Sequence, residues 1–104
     1  MADRIKALEA MIAAEPNDVF LHYSLGMELA AGGKPDKAVK EFENCIRLDD
    51  GYLAAYVEAG KVLRTAGRLE GARTMFSSAM ELAVLKGESH VRDYIQQQLD
   101  GLPK

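Results

Sequence analysis

The sequence is sparing with several residue types, and each scarcity excludes something. There is one cysteine, Cys45, so no internal disulfide forms and nothing in the chain depends on an oxidising compartment. There is no tryptophan and there are only three prolines. No surplus of positive charge exists. The formal net charge is −3, whereas a general nucleic-acid binder needs a basic surface to release counterions. No apolar run approaches the roughly 20 residues that a membrane span requires. The N-terminal stretch from Met1 to Lys6 lacks the continuous apolar segment of a secretory signal. The expectation is a cytoplasmic protein with neither a nucleic acid nor a membrane as partner.

What is present points to helices. Apolar residues make up 48% and charged residues 28% of 104 positions, which suits one soluble domain rather than a disordered chain. Ala, Leu, Glu and Lys are plentiful and favour helix over strand.

The chain also repeats itself. A shift of 34 residues superposes Gly26 on Gly60, Leu29 on Leu63, Gly33 on Gly67, Ala38 on Ala72, Phe42 on Phe76 and Leu48 on Leu82. Similar pairs lie between them: His22 with Tyr56, Lys34 with Arg68, Cys45 with Ala79, and Ile46 with Met80. Within each unit the apolar positions follow helical spacing, as in Leu25, Gly26 and Leu29, then Ala38, Phe42 and Cys45. Gly32-Gly33 and Gly67 break the two units in the middle, and Pro35 stands in a first helical turn, where its missing N–H costs nothing. Each unit is therefore expected to be a pair of amphipathic helices. Gly26 and Ala38, or Gly60 and Ala72, let the pair approach closely, and Phe42 or Phe76 fills the space beyond.

This arrangement resembles the tetratricopeptide repeat. The first copy reads His22, Leu25-Gly26, Leu29, Ala38, Phe42, Cys45, Asp50, and the second Tyr56, Ala59-Gly60, Leu63, Ala72, Phe76, Ala79, Val84. The departures are His22 for the large aromatic, Cys45 for Ala, and Asp50 and Val84 for the terminal Pro. The resemblance implies an all-α, short right-handed α-solenoid of about six helices. Shifting back by 34 places Leu8 under Phe42, Met11 under Cys45 and Ile12 under Ile46. The expected organisation is a half repeat over 3–16, repeats over 19–52 and 53–86, and a capping helix over 89–102. Asn17 or Asp18 is expected to cap the second helix and Ser89 the last. In the last helix Val91, Tyr94, Ile95, Leu99 and Leu102 form an apolar stripe, opposite Arg92, Asp93, Gln96 and Gln97.

A search for chemistry yields little. There is no phosphate loop, CxxC or HExxH pattern. His22, His90 and Cys45 are far apart on different helices, so no catalytic, metal or cofactor site is expected. Cys45 reads as a small hydrophobe in a tight slot, His22 as a packing residue. Glu41, Glu43, Asp49 and Asp50 read as a solvated helix face and turn. What remains is the surface that stacked hairpins create. The groove-facing positions implied by the resemblance are Phe20, Tyr23, Met27 and Ala30 in the first repeat, and Ala54, Val57, Lys61 and Arg64 in the second. Phe20, Tyr23, Met27, Val57, Lys61 and Arg64 are the expected contacts for a protein or peptide ligand, apolar at one end of the groove and basic at the other. Some members of this family grip a terminal carboxylate with a Lys-Asn-Asn-Lys-Arg clamp. The matching positions here are Tyr23, Met27 and Glu58, which do not suit it. The alternative to peptide binding is a homodimer, in which Ile5, Leu8 or Ile12 of the first helix stacks on a second copy.

Overall fold

The computed structural model describes residues 2–103. They form six helices: α1 (Ala2–Ala14), α2 (Val19–Ala31), α3 (Pro35–Leu48), α4 (Leu53–Thr65), α5 (Leu69–Lys86) and α6 (Ser89–Asp100). Among the described residues there is no strand. Each helix packs mainly on the next, so the chain is an α-solenoid measuring 39 × 28 × 19 Å. Helices α2 and α4 begin and end 34 residues apart, and so do the starts of α3 and α5.

The turns inside the hairpins show why the register holds. Gly33, Gly67 and Gly87 all have left-handed backbone, with φ of 73°, 80° and 69°. A side chain is strained there, and glycine is not. Each reverses the chain so that the next N–H turns back onto the helix just ended. Lys34 N–H donates to the Leu29 carbonyl, Arg68 N–H to Leu63 and Glu88 N–H to Ala83, all at 2.9 Å. These bonds satisfy carbonyls that a helix end would leave open. Pro35 opens α3 as expected, and Asp18 caps α2 by accepting from Leu21 N–H at 3.3 Å. The last cap differs from expectation. Ser89 is the first helical residue of α6, and Glu88 occupies the cap position with no side-chain bond. Glu88 stands one residue after Gly87 and directly before its helix, as Lys34 does after Gly33 and Arg68 after Gly67.

The core consists of two adjoining clusters, one about each phenylalanine. Phe42 is buried among Leu25, Leu29, Ala38, Cys45 and Ala59, and Phe76 among Leu63, Ala72, Ala79, Ala83 and Ile95. Val62 and Met75 touch both clusters and join them. The small residues act by proximity. A Cβ on Gly26 would lie 2.6 Å from Phe42 Cε1, and one on Gly60 would lie 2.8 Å from Phe76 Cε1. Both rings are fully buried and have no room to retreat.

The ends are closed differently. Ile95 and Leu102 of the C-terminal segment are buried against the second cluster, and Arg73 Nη2 donates to the Pro103 carbonyl at 2.7 Å. Arg92, Asp93, Gln96 and Gln97 face solvent. Tyr94 leaves the expected apolar stripe. It is 37% exposed, because it lies three residues rather than four from Val91 and so at the edge of the packed face. On α1, Ile5, Leu8 and Ile12 are half-buried against the first cluster, and Arg4 Nε lies 2.7 Å from Glu28 Oε1 of α2. These three side chains pack partly inside the chain and leave only part of their surface free for the stacking on a second copy that the homodimer expectation invokes.

Candidate functional site

Hairpins stacked in this way place α2, α4 and α6 side by side, with two hollows between them. The first, of about 490 Å3, lies between α2 and α4. Met27, Ala30, Val62 and Lys61 line it, together with the Gly33-Pro35 turn. The second, of about 500 Å3, lies between α4 and α6 and is lined by Leu53, Val57, Val91 and Tyr94. Glu58 of α4 borders both. The hollows are apolar because α4 places small or aliphatic residues at Ala54, Val57 and Val62, with only Glu58 and Lys61 charged between them.

The six residues expected at the groove fall into different settings. Met27 and Lys61 meet in the first hollow, so the apolar and basic positions share one site instead of marking opposite ends. Val57 is only 9% exposed and serves the second core as well as the second hollow. Tyr23 is half-buried. Its ring centroid lies 5.8 Å from that of Phe42 and 5.5 Å from that of Tyr52, in tilted aromatic contacts that fix its position. Burial, with the nearby Glu58 carboxylate as a second cause, pushes the Tyr23 phenol above its ordinary value. Phe20 is 63% exposed, an unusual setting for a phenylalanine, and lines neither hollow. Arg64 is exposed and also lines neither. Lys61 Nζ stands 3.3 Å from Glu58 Oε1, one helical turn back, so its charge is partly met within the chain. Leu53, Val91 and Tyr94 were not expected at the site. Tyr94 had been assigned to the packing stripe of α6, and only the angle between α6 and α4 reveals it as a wall of the second hollow.

Away from the groove, two polar residues have settings that the spacing did not indicate. His22 is buried. Its Nε2–H donates to the Pro16 carbonyl at 2.7 Å, which leaves Nδ1 facing Glu41 Oε1 at 2.8 Å. Glu41 is therefore not a solvated helix residue. It is half-buried, and its contact with the imidazole ties α3 to the turn before α2. Nothing in the repeat marks this pair, because Glu41 corresponds to Met75 in the second copy. Cys45 is fully buried, and its Sγ contacts the Val19 carbonyl at 3.6 Å. Burial first, and the Glu41 charge second, push the thiol up to about 11. A thiol held protonated and out of reach is a poor nucleophile. Among the described residues, no three His, Cys, Asp or Glu side chains gather as metal ligands. No helix among them is long and apolar enough to cross a membrane.

No family model matches the chain. A TPR repeat-containing protein of Pseudomonas aeruginosa is 29% identical over 84 residues, covering 81% of this chain and 80% of that protein. Among solved structures, the Yersinia enterocolitica type III secretion chaperone SycD, in complex with a peptide of the translocator YopD, superposes with a TM-score of 0.88. It is 22% identical and covers 95% of this chain and 76% of that one. The TPR2B domain of yeast Sti1, in its pHsp70 complex, gives a TM-score of 0.84 at 18% identity, covering 91% of this chain and 76% of that one. The chain shares the all-α helical-repeat fold of these proteins.

Proposed function

We propose that the chain is a protein–protein interaction module that binds a peptide segment of a partner along the α2–α4–α6 face, and that it acts by binding rather than by catalysis. One observation carries this reading. Two apolar hollows of about 490 and 500 Å3 lie side by side on one face, with Met27 and Tyr94 exposed on their walls. Exposed apolar surface gathered in this way is what an extended or helical segment needs in order to bury its own apolar side chains. Met27 adapts to varied apolar shapes. Two proteins of the same fold are named for complexes, SycD with a YopD peptide and TPR2B with pHsp70, and they support a peptide-binding use of this fold here. Met27, Val57 and Lys61 line the hollows and are the contacts of this proposal, while Phe20, Tyr23 and Arg64 lie outside them and touch only a segment that runs past them. With only two full repeats the expected affinity is about micromolar, or roughly −8 kcal/mol. A cytoplasmic setting is part of the same reading.

The test is a selection from a random peptide library on the intact protein, followed by titration of the selected peptides. Met27→Glu places a charge in the first hollow and is expected to weaken binding at least tenfold. Equal binding by parent and variant would place the site elsewhere.

The homodimer alternative retains one observation. Met11 on α1, and Val84 and Leu85 at the end of α5, are exposed apolar residues. Light scattering over a concentration series is expected to report the monomer mass throughout, and a rise toward twice that mass would favour the dimer.

A further inference from the structure

The two hollows differ in charge. The α2/α4 hollow has two charged residues, Glu58 and Lys61, and these pair with each other at 3.3 Å. The α4/α6 hollow has Glu58 and Glu88 on its rim, with His90 beside them and no lysine or arginine. Glu88 is exposed and has no cation within 4 Å among the described residues. Below this rim the floor is aliphatic, formed by Leu53, Val57 and Val91, and one wall is the part-exposed ring of Tyr94.

We infer that the α4/α6 hollow is a subsite for a lysine or arginine side chain of the bound segment, while the α2/α4 hollow takes an apolar one. This rests on the groove reading above and gives it a direction. A lysine or arginine has an apolar stem and a cationic head, and it prefers surfaces that bury the stem and leave the head among acceptors. Leu53, Val57 and Val91 meet the stem. The exposed Glu88 carboxylate accepts from the head in a charge-assisted bond, Glu58, already partly met by Lys61, is a second acceptor, and the Tyr94 ring stands beside the cation. The alternatives fit less well. A wholly apolar side chain would strip water from the two carboxylates and return no hydrogen bond. An acidic side chain would meet the uncompensated Glu88 carboxylate and a Glu58 only partly neutralised by Lys61. In the neighbouring hollow, Met27, Ala30 and Val62 offer only apolar contact, and the Glu58–Lys61 pair leaves no net charge to read. The partner segment therefore carries an apolar anchor and a basic anchor, and their order sets the direction in which it lies across α4.

The experiment sequences the peptides selected on the intact protein and titrates the best of them by fluorescence anisotropy. Three forms of that peptide are compared: the selected one, one with its basic residue replaced by norleucine, and one with it replaced by glutamate. The selected peptides are expected to share one basic position. Norleucine should weaken binding about tenfold and glutamate about a hundredfold, the range for a hydrogen bond to a charged group. In the Glu58→Gln, Glu88→Gln double variant, checked for an unchanged melting curve, the difference between the basic and norleucine peptides should vanish. Two results overturn the subsite while leaving the groove in place. One is Met27-dependent binders with no basic position, and the other is a preference for the basic peptide that survives in the double variant. A selection that yields no binder, or only binders indifferent to Met27→Glu, overturns the groove reading and the subsite together.

Discussion

The two full repeats solve the same structural problem with different side chains. His22 and Tyr56 stand 34 residues apart, at the same place on α2 and α4. His22 Nε2 reaches the Pro16 carbonyl at 2.7 Å, and Tyr56 Oη reaches the Asp50 carbonyl at 2.8 Å. Pro16 and Asp50 are themselves 34 apart, so both residues tie the incoming turn to the helix that follows, six positions on. A phenol can make this bond from the surface with a single donor. Imidazole has a second nitrogen, and in the first repeat that nitrogen recruits Glu41. The repeat register thus dictates a bond to be made and a volume to be filled, and leaves the chemistry open. The caps teach the same lesson. Asp18 caps α2 with its side chain, while Tyr52, its counterpart before α4, makes no side-chain cap.

The equivalence is sharpest at the two phenylalanines. Phe42→Ala and Phe76→Ala each empty the centre of one cluster and are expected to cost about 3–5 kcal/mol in denaturant titrations. Values that differ widely would mean the two clusters are not interchangeable. Gly26→Ala and Gly60→Ala come next. Better helix propensity returns about 1 kcal/mol, but the new Cβ meets a ring that cannot move. A net loss of about 1–2 kcal/mol is expected at each site, and a gain at either would contradict the 2.6 and 2.8 Å approaches.

The polar ties are where the repeats should diverge. His22→Phe leaves the Pro16 carbonyl without its donor and Glu41 with only the longer contact from Asn44 Nδ2 at 3.4 Å, and should cost about 2–3 kcal/mol. Tyr56→Phe loses one exposed bond and should cost about 0.5–1 kcal/mol. Equal losses would show that Glu41 contributes nothing. The smallest effect concerns Cys45, whose counterpart is Ala79. The folded thiol holds its proton up to about 11, against an ordinary value of 9.0. Below pH 9 both states keep the proton and the full stability is present. As pH rises from 9 toward 11 the unfolded chain loses the proton first, so stability falls. Cys45→Ala is expected to remove that share of the alkaline decline, and an unchanged decline would mean the thiol is not its source.

Much of this was legible beforehand, for a definite reason. Helix number, the glycine turns and the phenylalanine cores follow from contacts within one hairpin, and a 34-residue repeat displays each of them twice; the Asp18 cap is read from its residue type alone. The misreadings concern residues whose repeat position carries a different side chain in the other copy, or none. Ser89 looked like a cap from its residue type, but Glu88 holds that position. Glu41 looked solvated because its partner lies 19 residues away on another helix. Met27 and Lys61 were assigned to opposite ends of the groove, since helical spacing says which face a residue takes but not how far one helix is offset along its neighbour.

The sequence by itself determined the architecture: small residues and aromatics at a constant period force a close helix pair, and Gly33 and Gly67, with positive φ, turn the first helix of each pair into the second. The binding face was decided only by the tertiary structure. Its hollows lie between helices from different repeats, and whether Glu58 borders one of them or both depends on how α2, α4 and α6 lie side by side. That arrangement is set by packing across the whole stack, where Val62 and Met75 join the two cores, and no single segment encodes it.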